Sequence, residues 1–187
     1  MRRKNMYNFQ SKPTVLSRAE WGARSRSKTP RQRDGVRYLV VHHCAGNNNT
    51  IENTSEQARM REIQRIHMDD NGWSDIAYNF GVGKGGTIME GLEIDYAMKA
   101  AGGSNNNYYA IHINCHGNFE EKLFDWSQKS ALIDLLAYLC SRYGLSESAI
   151  IGHYNMSSSA CPGQAIKDAI PSIRTNVKVR LNGASPY

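Results

Sequence analysis

The segment VRYLVVHHCA, residues 36–45, is the clearest strand of this 187-residue chain, because β-branched and other apolar residues run together in it. Two more segments share that character: YAIHINCHG at 109–117 alternates apolar and polar residues, and AIIGH at 149–153 is a brief apolar run. Such runs, followed by Gly/Asn-rich loops, are typical of strands in a buried sheet. We therefore expect a sheet built around residues 36–45.

Helical patterns lie between and after these strands. Apolar residues recur at a spacing of three to four over residues 127–143, and Gly144 is a natural stop for that helix. Thr54 opens a capping-box pattern that predicts a helix over about 55–70, closed by an Asn-Gly pair. A last helix is expected over 164–170.

The segment DIAYNFGVGKGGTIMEG, residues 75–91, predicts a hairpin of two short strands joined by a Gly-Lys-Gly-Gly turn. Strands and helices mix without a repeat, so the expected class is α/β, with a small central mixed sheet flanked by helices. We expect one compact domain over residues 16–171, preceded by a basic arm at 1–15 and followed by a tail or linker stump at 172–187.

The charge of the chain is unevenly distributed. Residues 1–37 hold eleven Lys/Arg and two Asp/Glu, a net +9, whereas residues 38–187 hold twelve and fifteen, a net −3. We expect irregular backbone over residues 1–36, anchored locally by Trp21. Such a region can meet nucleic acid, anionic lipid or an anionic cell-wall polymer, or can be a solvated leader. No RNA-binding motif accompanies it, so nucleic acid is not the expected partner.

Targeting features are sparse. No window of 18 apolar residues exists, which argues against a transmembrane segment. Basic residues at the N-terminus are not followed by an apolar core, so a secretory signal is absent from the sequence as written. We expect synthesis in the cytoplasm of the producing cell without a signal peptide, or secretion if a leader precedes this sequence.

Four cysteines are too few for a disulfide scaffold at this length. Cys115 and Cys140 lie in apolar runs and are expected to be buried as small hydrophobic side chains. Cys161 is different, because it lies in the polar loop of GHYNMSSSACPG (152–163), eight positions after His153. A loop of this length can fold back and bring the imidazole and the thiol to one point.

A third metal ligand is available in VVHHCA, where His42 and His43 end the strongest strand. Side chains alternate faces along a strand, so only one of the two imidazoles can enter a given cleft. Zinc takes three or four nitrogen and sulfur ligands, and a catalytic zinc keeps one position open for water. The residues alone leave open which histidine would serve.

Five segments taken together resemble a known family. LSRAEWGAR, VVHHCAG, GWSDIAYNFGVGKGGTIMEG, HGNFE and GHYNMSSSACPG occur in this order over residues 16–163. They resemble the zinc-dependent N-acetylmuramoyl-L-alanine amidases, a family that includes phage lysozymes and the peptidoglycan recognition proteins. The resemblance implies the amidase/recognition-protein fold. It also implies that His42, His153 and Cys161 bind one Zn²⁺ ion and that Tyr78 takes part in catalysis.

The chain also departs from the family pattern. Ser159 stands where relatives carry lysine or threonine, so its contribution as a catalytic hydrogen-bond donor is expected to be small. His112 stands where relatives often have glycine. Cys44 faces the same way as His42 in strand geometry and is expected to pack nearby, with an extra ligand or a redox-sensitive thiol as the alternatives. Glu90 is a general-base candidate only through its closeness to the hairpin, and Asn79 and Asn114 are candidate partners of the ligand imidazoles.

The resemblance implies a peptidoglycan hydrolase. The substrate would be the amide between N-acetylmuramic acid and L-alanine, and the setting would be a phage or prophage endolysin acting on the cell wall as a monomer. One alternative is a peptidoglycan-binding module without catalysis. Another is a lysozyme-like protein with an added role in binding a polymerase or nucleic acid.

Overall fold

The computed structural model describes residues 8–183 and has the α/β class expected from the sequence. The strands are β1 (Arg31–Gln32), β2 (Tyr38–His43), β3 (Phe80–Val82), β4 (Ile88–Glu90), β5 (Tyr96–Ala97), β6 (Ala110–Cys115) and β7 (Ile150–Gly152). The α-helices are α1 (Arg18–Trp21), α2 (Asn48–Glu52), α3 (Glu56–Arg65), α4 (Trp126–Tyr143) and α5 (Gln164–Leu181). A π-helical turn, Ile66–Asp70, continues α3, and 3₁₀ turns cover Asn105–Tyr109, Glu147–Ala149 and His153–Asn155.

The central sheet is mixed and has the strand order β4-β3-β6-β2-β7. Strand β2 pairs in parallel with β6 and β7, and β6 pairs in parallel with β3. Only the β3–β4 hairpin is antiparallel within this sheet, as the Gly-rich turn predicts. Strands β1 and β5 form a separate two-stranded ribbon. The carboxyl ends of β2, β6 and β7 therefore share one edge of the sheet.

The two faces of the sheet are covered differently. On one face, Leu39 and Val41 of β2 pack with α4 and α5 in the main hydrophobic core. The other face is covered by a smaller cluster centred on Trp21, whose indole is fully buried and donates to the Glu90 carbonyl at 2.7 Å. Because side chains alternate, His42 belongs to this second face together with His112 of the neighbouring strand.

The sequence patterns predicted most of the helices and strands, but they did not predict the start of α3 or the two short helices α1 and α2. The N-cap of helix α3 is Ser55, whose side chain accepts from the Ala58 N–H at 3.2 Å, and not Thr54 as the capping-box pattern predicts. The Thr54 hydroxyl instead donates to the Thr50 carbonyl. Two short helices, α1 and α2, occupy segments expected to be irregular; Ser17 and Asn47 cap them.

The C-terminal helix is longer than predicted. Helix α5 continues through Pro171 to Leu181, so the expectation of a tail or linker from residue 172 is wrong for 172–181, and residues 184–187 lie outside the described range. Proline removes one helical hydrogen bond, which favours a stop. Here the apolar period continues past it, and Ile173, Val177 and Leu181 are buried against the main core.

The described part of the predicted basic arm lies against the body of the domain. The Asn8 N–H donates to the Leu181 carbonyl at 2.8 Å, and the Gln10 N–H donates to Ser141 Oγ at 3.1 Å. Residues 1–7 lie outside the described range. Within residues 8–183, no helix is long and apolar enough to span a membrane.

Candidate metal centre

Two neighbouring parallel strands deliver the candidate ligands to one edge of the sheet. His42 is near the carboxyl end of β2, and His153 follows β7 directly. Cys161 closes the loop between His153 and α5. The structure brings one nitrogen of each imidazole and the cysteine sulfur within 4.8 Å of one another.

The distances between these atoms fit tetrahedral coordination of one metal ion. His42 Nδ1 is 3.7 Å from Cys161 Sγ, and the rings of His42 and His153 have centroids 4.7 Å apart. Two zinc ligands at about 2.05 Å (nitrogen) and 2.3 Å (sulfur), separated by a tetrahedral angle, are about 3.6 Å apart. Two imidazoles and one thiol are also a donor set that zinc prefers.

Strand alternation separates the two adjacent histidines. His42 is 1% exposed and faces the candidate ligands. The imidazole of His43 is on the opposite face, where its Nδ1 accepts from the Phe119 N–H at 3.3 Å. Its backbone N–H nevertheless donates to Cys161 Sγ at 3.3 Å. His43 thus positions the sulfur through its main chain and leaves metal binding to its neighbour.

Protonation states around the cluster suit metal binding. Burial lowers the pKa of His42 well below its usual value, and burial likewise lowers the pKa of His153. Both imidazoles are then neutral near pH 7, which is the form that coordinates metals. Burial raises the pKa of the Cys161 thiol to about 12, so the thiolate needs a cation beside it.

Tyr78 lies next to the cluster. Its ring centroid is 5.0 Å from that of His42 and 5.2 Å from that of His67. Burial, and next the nearby Cys161, raise the pKa of the Tyr78 hydroxyl above its ordinary value. The hydroxyl therefore stays protonated and available as a hydrogen-bond donor.

The segment that carries Tyr78 is anchored by a buried aspartate, Asp75, which no sequence motif predicted. Asp75 is fully buried, forms a 2.9 Å ion pair with Arg18 and accepts from Gln64 Nε2 at 2.7 Å. It also accepts from the Ile76 N–H at 2.7 Å. These partners balance a buried charge and hold the turn that precedes the tyrosine.

Two serines support the ligand loop. Ser159 Oγ accepts from the Cys161 N–H at 3.1 Å, and Ser157 Oγ lies 2.8 Å from His153 Nε2. Ser159 was predicted as a weak catalytic donor, and the structure adds a role in shaping the loop. Ser157 was not predicted, although its position four residues after His153 in a tight loop makes the contact possible.

The remaining candidates have other positions. His112, not Asn79 or Asn114, contacts a ligand imidazole: its Nδ1 is 2.9 Å from His42 Nε2. Cys44 packs against the smaller core cluster, where its Sγ accepts from a backbone N–H at 3.2 Å, and it is outside the three-residue cluster. Glu90 lies on β4, three strand spacings from β2, or about 14 Å.

Asn79 organises the neighbourhood of His112 instead of contacting a ligand. Its Oδ1 accepts from the His112 N–H at 3.0 Å and from an Arg33 guanidinium N–H at 2.9 Å. Burial, and next the Arg33 charge, lower the pKa of His112 to about 3. Burial also lowers the pKa of Arg33 to about 10. His112 is thus a neutral imidazole held from its main chain.

The fold and the site define a class: mixed α/β domains with a His-His-Cys candidate metal centre at the carboxyl ends of parallel strands. Residues 31–164 match the protein family described as N-acetylmuramoyl-L-alanine amidase. The chain belongs to that family, as the resemblance of its five segments predicted.

Relatives include recognition proteins as well as hydrolases. The chain is 33% identical over 158 residues to peptidoglycan-recognition protein SC2 of Drosophila melanogaster, covering 84% of each chain. An endolysin N-acetylmuramoyl-L-alanine amidase from Clostridium intestinale has a similar structure (TM-score 0.72, 25% identity, 87% of this chain and 96% of that one). So does peptidoglycan recognition protein-LE in complex with tracheal cytotoxin, a monomeric diaminopimelic acid-type peptidoglycan (TM-score 0.75, 26% identity, 84% and 92%).

Proposed function

We propose that this protein is a zinc-dependent N-acetylmuramoyl-L-alanine amidase that hydrolyses the amide between N-acetylmuramic acid and L-alanine in peptidoglycan. The observation that carries the proposal is the convergence of His42, His153 and Cys161, with ligand atoms within 4.8 Å of one another. Membership of the amidase family supports the same reaction.

In the proposed reaction, some residues would bind the zinc ion and others would stabilise the negative charge that develops on the carbonyl oxygen. His42, His153 and Cys161 would hold zinc, which supplies Lewis acidity for polarising the scissile carbonyl and for activating water near neutral pH. The protonated Tyr78 hydroxyl would donate to the carbonyl oxygen as negative charge develops on it. Ser159 uses its oxygen to accept from the Cys161 N–H, which leaves its hydroxyl hydrogen for a weaker second donation.

The reaction is tested by mass spectrometry of peptidoglycan digested with the purified protein. We expect new free amino termini on L-alanine and intact glycan strands. New reducing ends would indicate a glycosidase and contradict the proposal. We also expect one zinc per chain, loss of activity on chelation, and recovery when zinc is returned.

Similarity to recognition proteins supports a second candidate, a receptor that binds peptidoglycan without cleaving it. The three clustered ligands and Tyr78 favour hydrolysis, because binding alone does not need a metal with an open position. A wall-binding assay run beside the turbidity assay separates the two. Binding without loss of turbidity, in protein loaded with zinc, would support the receptor.

We also propose that the biological setting is lysis by a phage or prophage, with synthesis in the host cytoplasm. The structural likeness to a clostridial endolysin supports this setting. Cytoplasmic expression should leave bacteria intact until the membrane is permeabilised, for example with chloroform, and should then cause rapid lysis. Lysis without permeabilisation would argue against it.

The basic N-terminal region is proposed to meet an anionic cell-wall polymer. Part of the charge of residues 1–37 is already neutralised by ion pairs. Arg24–Asp69 and Arg26–Glu93 join this region to the rest of the domain, and Arg31–Asp34 lies within it. Retention on walls with and without teichoic acid, measured at rising salt, tests the proposal for the full chain against a chain lacking residues 1–14. Equal retention of both chains would contradict it.

A further inference from the structure

His42, one of the three candidate metal ligands, contacts a second buried imidazole, that of His112. His42 Nε2 and His112 Nδ1 are 2.9 Å apart, and the two side chains are 1% and 0% exposed. Ring nitrogens at this distance share one proton, so one ring donates and the other accepts.

The position of Cys161 decides which ring donates when a metal is bound. His42 Nδ1 is the nitrogen that faces the sulfur, at 3.7 Å, so this nitrogen is the one that would coordinate the ion. A coordinating nitrogen carries no proton, and the neutral ring must then carry its proton on Nε2. That proton points to His112 Nδ1, which accepts it.

We propose that His112 is a positioning residue that fixes the tautomer and the ring orientation of His42 for metal binding. The inference rests on the proposed function, in which His42 is a zinc ligand. Hydrogen bonds to the second nitrogen of a ligand histidine raise its basicity and restrict its rotation. His112 contributes this bond from the adjacent parallel strand, where it lies two residues before Asn114, the register partner of His42, and therefore on the same face of the sheet.

A hydrogen bond fixes the main chain of His112, and burial of its imidazole lowers the stability of the fold. The backbone N–H of His112 donates to Asn79 Oδ1 at 3.0 Å, which restricts the main chain of β6 at this residue. If Nδ1 accepts, the remaining proton of the ring is on Nε2, and this atom is buried without a hydrogen-bond partner among residues 8–183. An unpaired buried donor lowers stability, whereas an apolar side chain of similar size would not. A residue that serves only packing would gain nothing from this imidazole.

Zinc affinity of three variants tests the proposal. His112→Leu removes the acceptor, and we expect a 10- to 100-fold weaker zinc Kd in competition with a chelator. His112→Asn places an amide oxygen near the position of Nδ1, and we expect it to recover most of the lost affinity. The matched control is His116→Leu, which replaces another buried histidine directly after β6 and should bind zinc within twofold of the unsubstituted protein.

A second measurement is independent of activity and of variant folding. Two-bond ¹H–¹⁵N correlation spectra of the metal-free protein should show His42 protonated on Nε2. Protonation on Nδ1 would overturn the inference, as would a zinc Kd of His112→Leu within twofold of the unsubstituted protein. If the unsubstituted protein binds no zinc, the proposed function and this inference both fail; if it binds zinc and only the His112 results disagree, the inference alone fails.

Discussion

The Oγ atom of Ser159 accepts a hydrogen bond from the backbone N–H of Cys161 at 3.1 Å, so the serine shapes the loop that presents the sulfur. The hydroxyl carries no charge and is only partly buried. Ser159→Ala should therefore weaken zinc binding a few-fold and lower turnover less than tenfold. The exposed neighbour Ser158→Ala is the control. A thousandfold loss of turnover would show that the Ser159 hydroxyl stabilises the transition state directly.

Cys161 is the ligand whose chemistry is hardest to replace. Cys161→Ser should release zinc and abolish hydrolysis while the far-ultraviolet circular dichroism spectrum is retained, because a neutral hydroxyl is a poor zinc ligand. Cys140→Ala, in α4 and away from the cluster, should keep both zinc and activity. Activity retained by Cys161→Ser would exclude the cysteine as a ligand.

Tyr78 is expected to act on the reaction rather than on the metal. Tyr78→Phe should lower kcat about 10²- to 10³-fold, the usual effect of losing one oxyanion donor, with an unchanged zinc Kd. Tyr154→Phe, a more exposed tyrosine beside His153, is the matched control. Equal losses of zinc affinity and kcat in Tyr78→Phe would indicate a structural role instead.

Buried neutral histidines should make the metal-free protein sensitive to acid. Burial lowers the pKa of His67 to about 4 and that of His116 to about 3, whereas the unfolded value is about 6.5. Below pH 6.5 the unfolded chain binds more protons than the folded one, so the unfolding free energy falls as pH decreases towards these values. Each such histidine contributes a slope of about 1.4 kcal/mol per pH unit.

Denaturant unfolding between pH 4.5 and 7 measures this slope. His116→Leu removes one titrating group and should give a shallower dependence than the unsubstituted protein. Identical slopes would mean that His116 is accessible to protons in the folded state.

The extension of α5 beyond Pro171 has a direct consequence for stability. Ile173 is fully buried in the main core, so Ile173→Ala should lower the unfolding free energy by about 2–5 kcal/mol. Lys178→Ala, on the exposed side of the same helix, should cost less than about 1 kcal/mol. Equal, small effects in calorimetry would indicate that residues 172–181 do not pack on the domain.

Local sequence patterns determined most of the elements. The strands at 38–43, 110–115 and 150–152, the hairpin and helix α4 follow from apolar periods and turn residues, which act between near neighbours in the chain. The same patterns misled at Pro171, because the loss of one helical hydrogen bond is a local cost. The turns of α5 that follow Pro171 pack against α4 and the sheet, and this packing outweighs the cost. Patterns among neighbouring residues do not predict such tertiary packing.

For the candidate site too, some features could be predicted from the sequence and others depend on the tertiary structure. The spacing of His153 and Cys161, and the family resemblance around them, could be seen in the sequence alone. Tertiary structure decided that His112, 70 residues from His42, supplies the contact to its second nitrogen, and that Ser157 contacts His153. The physical reason is strand register: the alignment of β2 with β6 is set by the packing of both faces of the sheet, and it juxtaposes side chains that no spacing along the chain connects.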